Sequence, residues 1–138
     1  MDVHKLEAVL SAHPLFHTLG LRVAAAVPGS VSLRIPRTPS VAAYGGNTAS
    51  GALYAAAELA STVLVGGHPD LQGCLLQSGR IRYFGPAAGD LTASASVADE
   101  AIRQAREEKQ PLEVVVLVVD EPGAQVAEAR FRFGGGQP

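Results

Sequence analysis

One stretch limits what this chain can fold into more than any other: Tyr44-Gly-Gly-Asn-Thr-Ala-Ser-Gly-Ala-Leu-Tyr-Ala-Ala-Ala-Glu-Leu-Ala-Ser-Thr-Val-Leu-Val-Gly-Gly67. It reads as a helix that is apolar nearly all round, the signature of a helix enclosed by the rest of its fold. Asn47 or Thr48 is suited to cap the first turn by accepting a backbone N–H. Gly66 and Gly67 supply the left-handed geometry expected at its end, and Pro69 keeps it from resuming. A helix without a solvent face needs a wrapper, and a curved antiparallel sheet is one that buries it on most sides.

The helix carries one carboxylic acid, Glu58. Positions 47, 51, 54, 58, 61 and 62 follow helical spacing, so Glu58 shares a face with Asn47, Gly51, Tyr54 and Ser61. Two readings fit a lone acid there. It either reaches solvent through a gap in a packed helix, or lies in a largely apolar cleft where a carboxylate is suited to acid/base work. The second reading has a natural companion at the start of the helix. Gly51 permits close backbone approach, and free first-turn N–H groups stabilise developing negative charge on an oxygen.

The wrapper is legible on both sides. Leu6, Val9 and Leu10 predict a short amphipathic helix over residues 3–12, ended at His13-Pro14. Leu15, Phe16, Leu19 and Leu21 form an apolar anchor around Gly20. Residues 21–27 and 30–36 read as a hairpin, with Pro28 and Gly29 at the centre of a type II turn. After the central helix come strand-like runs over 75–84, 91–97, 112–119 and 126–133, with a Pro122-Gly123 turn between the last two. The 112–119 run is almost continuously apolar and predicts an interior strand covered on both faces. Glu100 to Lys109 is charged and reads as a surface helix or a long hairpin loop. The expectation is an α+β chain with one domain over 1–133 and a Gly-rich tail over 134–138.

Composition narrows the function classes. The 138 residues carry a net charge of -2, which leaves no basic stripe for nucleic acid. The apolar runs are too short to span a membrane, and the first residues do not read as a signal peptide. The single Cys74 cannot pair within the chain, so a reducing, cytoplasmic setting is expected. His13 and His17 are separated from a common helix face by Pro14, His4 and His68 offer no ligand spacing, and no metal site is expected. There is no Gly-x-Ser-x-Gly elbow and no P-loop.

Four pieces then acquire a joint meaning. They are His13-Pro-Leu-Phe-His-Thr-Leu-Gly20-Leu, Ser50-Gly-Ala-Leu-Tyr-Ala-Ala-Ala-Glu58-Leu-Ala60, Arg82-Tyr-Phe-Gly-Pro-Ala87 followed by Gly89-Asp-Leu91, and Asp120-Glu-Pro-Gly123. In this order and spacing, over roughly residues 13 to 133, the chain resembles the hotdog-fold acyl-thioester superfamily. It is most similar there to the PaaI-like and DUF4442 (YiiD-type) thioesterases. The resemblance implies a hotdog fold, a curved antiparallel β-sheet wrapped around one central apolar helix. It also implies hydrolysis of an acyl-CoA or acyl-carrier-protein thioester, with no cofactor beyond the coenzyme A of the substrate.

In that family the acid of the central helix is catalytic, and the matching position is Glu58. The His-Gly-Gly and upstream Asn of many relatives fall on Ala49-Ser50-Gly51 and Ala43. The expected site is therefore Glu58 as base or nucleophile, Ser50 and Gly51 as oxyanion donors, and Asn47, Tyr54, Ser61, Ser78 and Arg80 around the substrate. Ser78 and Arg80 would face the helix across a dimer seam. A homodimer or tetramer is expected, because a single wrapped sheet leaves strand edges open. Two alternatives stay open: a non-catalytic acyl-CoA-binding or oligomerisation module, and an enoyl-thioester hydratase or dehydratase.

Overall fold

A computed structural model describes residues 2–43 and 45–135 of the chain. Two helices come first, α1 (Val3–Ser11) and α2 (Pro14–Leu19), then strands β1 (Arg22–Val27) and β2 (Ser30–Ile35). The central helix α3 (Ser50–Gly66) follows, then β3 (Leu75–Tyr83), β4 (Leu91–Ser96), α4 (Asp99–Glu108), β5 (Leu112–Asp120) and β6 (Gln125–Gly134). The strands form one sheet in the order β1-β2-β4-β5-β6-β3, with every neighbouring pair antiparallel. The sheet curves around α3, as the apolar helix required.

Small residues make the wrapping possible. Ala56, Ala57 and Ala60 are completely buried, and so are Ala93 and Ala95 on β4, Val114, Val116 and Val118 on β5, and Ala129 and Phe131 on β6. Without bulk at the alanines, the sheet comes close to the helix backbone while valines and Phe131 fill the remaining space. Leu33, Ile35 and Leu91 close the far side of this core.

Local sequence explains the elements. Pro14 does more than end α1: it occupies the first turn of α2, His13 accepts from the Phe16 N–H, and Gly20 at φ 67 ends the helix. The anchor of Phe16 and Leu19 is thus a six-residue helix, with Leu15 left 42% exposed. Gly29, at φ 84, makes the β1–β2 turn. The charged segment is a helix, α4, with Arg103 tied to Glu100 and Glu107.

Three expectations need correction. β5 is an interior strand by neighbours, but its outer face is uncovered: Val115 and Val119 are half-buried and Leu117 is 36% exposed. Its unbroken apolar run reflects β propensity on that face rather than double burial. Gly66 and Gly67 are not left-handed; Gly67 keeps φ -89 and its N–H donates to the Val63 carbonyl, so α3 ends without reversing hand. β6 runs through Gly134, which pairs with Leu75, into the segment read as a tail. Gly136 to Pro138 lie outside the described residues. No described helix is long and apolar enough to cross a membrane.

Candidate functional site

The start of α3 is held by a small web of backbone bonds. Asp90 fixes the loop that leaves β2. Its carboxylate accepts from the Arg37 N–H at 2.8 Å and from Arg34 at 2.6 Å, and these contacts hold its pKa below the ordinary value. Thr48 N–H donates to the Ala87 carbonyl at 2.8 Å and Ala49 N–H to the Val41 carbonyl at 2.7 Å. Ala49, not Asn47 or Thr48, is the N-cap, and it offers no side-chain oxygen. Thr48 is buried one residue too early to cap. Among the described residues, the N–H groups of Ser50 and Gly51 have no protein acceptor. An uncapped helix start with two free donors on exposed residues can receive an anionic oxygen.

Glu58 is two turns further along. It is half-buried, and among the described residues its carboxylate has no ion pair and no hydrogen bond. Beside it on the same helix face is Tyr54, one turn back, whose ring meets Phe131 edge-on at a centroid distance of 5.5 Å. The Tyr54 hydroxyl lies under β3 at Gly79. A Cβ at residue 79 would sit 2.5 Å from that hydroxyl and 2.7 Å from the Phe131 ring. Glycine is therefore required there by space rather than by backbone geometry.

β3 completes this side. It is an edge strand, and eight of its nine residues are exposed. Its register with β6 places Gly79, Ile81 and Tyr83 opposite Phe131, Ala129 and Ala127, the β6 residues buried toward α3. Tyr83 reaches the helix start, where its hydroxyl donates to the Ser50 carbonyl at 3.0 Å. Glu58, Tyr54, Ser50 and Gly51 thus border the open side of α3, facing a strand that the helix covers only in part.

Other expected site residues fall elsewhere. Ser61 is completely buried, and its hydroxyl donates to the Ala57 carbonyl of its own helix at 2.8 Å, so it is closed to a ligand. Helical spacing put it on the Glu58 face correctly but could not show that the sheet seals that turn. Asn47 is exposed in the loop, outside the helix, with its carbonyl accepting from Ala43 N–H. Ser78 and Arg80 alternate with Gly79 and therefore lie on the outer face of the sheet, away from α3. There they line a shallow hollow of about 170 Å³ with Glu113, Arg130 and Arg132. Within one chain they do not meet Glu58.

Sequence reasoning did not connect Tyr83 and Gly79 to the candidate site, where they contact Ser50 and Tyr54. The alternation of Ile81 and Tyr83 with the arginines was visible, but contact with residue 50 is long-range and carries no local signal. A hollow of about 510 Å³ lies at the other end of the sheet between α4 and the ends of β3 and β6. Leu71, Cys74, Arg106, Lys109 and Phe133 line it, and Glu58 does not. Among the described residues no three of His, Cys, Asp and Glu are grouped closely enough to hold a metal ion.

Comparisons with known proteins agree with this architecture. The model of a family described as a domain of unknown function (DUF4442) matches residues 5–133. A comparison with curated proteins returns no match. Among solved structures, a Pseudomonas aeruginosa protein described as a "probable thioesterase" is 24% identical, with a TM-score of 0.84 over 96% of this chain and 94% of that one. The zebrafish thioesterase superfamily member 2 is 16% identical, with a TM-score of 0.79 over 98% and 99%. A Haemophilus influenzae thioesterase is 14% identical, with a TM-score of 0.76 over 96% and 89%.

Proposed function

The chain belongs to the DUF4442 family and has the hotdog fold of its thioesterase neighbours, and from that premise we propose that it hydrolyses acyl thioesters, of coenzyme A or of an acyl carrier protein. One observation carries the reading: among the described residues, Glu58 is half-buried and unpartnered on the helix whose first two N–H groups are also unpartnered. Buried polar groups are normally satisfied by protein or ordered water, whereas Glu58 is only partly withdrawn from solvent and the Ser50 and Gly51 donors are open to it. Two unsatisfied groups of opposite character on one open side suit a ligand that supplies both partners.

The chemistry follows from those two groups. The thioester carbonyl oxygen accepts from Ser50 and Gly51 N–H, which stabilise the negative charge that develops there. Glu58 takes a proton from water as the water oxygen attacks the carbonyl carbon. The tetrahedral intermediate collapses, the C–S bond breaks, and the proton passes to the departing thiolate. Attack by the Glu58 carboxylate itself, giving an anhydride that water then opens, uses the same groups. Tyr54 and Ile81 would border the acyl group.

The same reading calls for a second copy of the chain. β3 leaves a row of backbone groups unpaired, with Leu75 68%, Leu76 39%, Tyr83 46% and Phe84 47% exposed at its two ends. Antiparallel pairing of β3 with β3 of a second copy would satisfy the edge and cover those side chains. It would also bring the outer-face Ser78 and Arg80 of each copy to the seam.

A non-catalytic acyl-thioester-binding module is the second reading, favoured by Ala49 and Ala43 at the positions where many relatives carry His and Asn. Turnover of a panel of acyl-CoAs by the purified protein decides between them. Hydrolysis above the uncatalysed rate, lost in Glu58→Gln, supports the enzyme. Saturable binding with no turnover would leave the module.

A further inference from the structure

We propose that Tyr83 is a positioning residue for the candidate oxyanion site, acting through the Ser50–Gly51 peptide unit; the catalytic consequence rests on the thioesterase reading above. The Tyr83 hydroxyl donates to the Ser50 carbonyl at 3.0 Å. That carbonyl and the Gly51 N–H belong to one planar trans peptide, so they point in opposite directions from the same rigid plate. A carbonyl oxygen has two lone pairs, and Tyr83 can occupy one while the helix uses the other.

The bond therefore does two things to the Gly51 N–H. It fixes the plane in which that donor lies, at the helix end where fraying is otherwise greatest. It also draws electron density toward the carbonyl oxygen, which leaves the N–H more positive, the cooperative strengthening expected of linked hydrogen bonds. Gly51 N–H is one of the two donors with no acceptor among the described residues. A stronger, better aimed donor is worth most where charge develops on the substrate oxygen, so the effect should fall on kcat rather than on KM.

The source of the hydroxyl matters as well. Tyr83 comes from β3, not from α3 or its loop, and it is 46% exposed. It is not there to fill the core. Gly79, four residues earlier on the same strand, accommodates the Tyr54 hydroxyl without a side chain of its own. The edge strand and the helix are thus fastened at two points, Gly79 over Tyr54 and Tyr83 to Ser50.

The test uses full-length ¹⁵N-labelled protein, wild type and Tyr83→Phe. We expect the Gly51 amide proton resonance to move upfield in the Phe variant. We expect kcat to fall about tenfold, a weakened rather than deleted oxyanion donor. KM and the thermal midpoint should hold. A fluorinated tyrosine placed at residue 83, a stronger donor, should move the resonance downfield and raise kcat. An unmoved Gly51 resonance in both variants overturns the proposal, as does unchanged kcat in an enzyme that turns over, or a fall confined to the thermal midpoint. Wild-type protein inert toward every thioester, with the Gly51 resonance still shifted in both variants, would keep the Tyr83–Ser50–Gly51 linkage and overturn the hydrolase reading instead. Inert protein with an unmoved resonance would overturn both.

Discussion

β1 and β3 are both edge strands, and the chain finishes them differently. β1 is six residues long, bulged between Val23 and Ala25, and backed by α1. Glu7 on α1 accepts from the Val23 N–H at 2.8 Å and from Arg22 Nε at 2.6 Å, so a carboxylate takes up part of the edge. The backbone bond from Val23, then Arg22, holds the Glu7 pKa below its ordinary value of 4.5 despite some burial. β3 is nine residues long, exposed, and lined by apolar side chains at both ends. Shortness, a bulge and a polar cover are the usual ways of blunting an edge. β1 has all three; β3 has a bulge near Leu76 and the charges of Arg80 and Arg82, but it is longer and keeps apolar side chains exposed at both ends. The open edge is also the one beside Glu58, Tyr54 and the uncapped helix start. Among the described residues, the unpartnered groups of Glu58, Ser50 and Gly51 share this open side, where a ligand and a second copy can supply what is missing.

The largest expected effect is at Glu58. Glu58→Gln should lower kcat/KM for thioester hydrolysis by roughly 10²–10⁴-fold, the scale of losing a general base. Its unfolding midpoint should hold or rise, since no protein partner is lost. Wild-type rates in this variant would remove the β3 side from the mechanism.

Gly79→Ala comes next. The added methyl collides with Tyr54 and the Phe131 ring, so unfolding free energy should drop by about 1–3 kcal/mol. Tyr54→Phe in the same chain should recover part of that loss, a coupling that a double-mutant cycle measures in urea. Additive losses would mean that the hydroxyl does not crowd the strand.

Leu76→Lys sharpens the contrast between edges. A charge on an open edge opposes strand pairing, so the dissociation constant of the proposed β3–β3 dimer should rise about tenfold or more in sedimentation runs. The monomer's stability should stay within about 0.5 kcal/mol, because the leucine is already exposed in the single chain. An unchanged assembly state would move the interface to another surface.

Glu7→Gln should have the smallest effect, under about 1 kcal/mol at pH 7, since its Arg22 partner is largely exposed. The Glu7 contribution is present above the unfolded-state pKa and is lost as pH falls through the lowered folded value. The thermal midpoint of the variant should therefore fall less steeply than wild type between about pH 5 and pH 3. Parallel pH curves would show that this carboxylate does not secure the β1 edge.

The sequence pattern revealed most of the fold because the fold depends on periodicity. The apolar run of α3, the alternation in β2, β4 and β6, and the two Pro-Gly turns each state their own geometry within a few residues. Pro14 was harder to read, since the same ring ends one helix and opens another. The open side of α3 was legible only through Glu58 and the Gly51 region, which share its helical spacing. What helical spacing cannot show is which turn the sheet covers, and Ser61 fell on the wrong side of that line. The face of Ser78 and Arg80, and the reach of Tyr83 to Ser50, depend on strand register and on the curvature of the sheet. Neither is written in any short stretch of residues.

The position of β3 in the sheet has a further consequence, in time rather than in space. β3 leaves α3 and crosses to the far edge, where Leu75 pairs with Gly134 and Tyr83 with Ala127. Its partner among the described residues, β6, is therefore the last of their strands to be made. The β1–β2 hairpin can close while synthesis continues, but β3 must wait, and contacts so distant in sequence form slowly. The Tyr83 bond to Ser50 and the cover over Tyr54 wait with it. The candidate site is thus among the last parts of the molecule to assemble, and a chain that stops short of β6 would have the central helix without the wall that completes its open side.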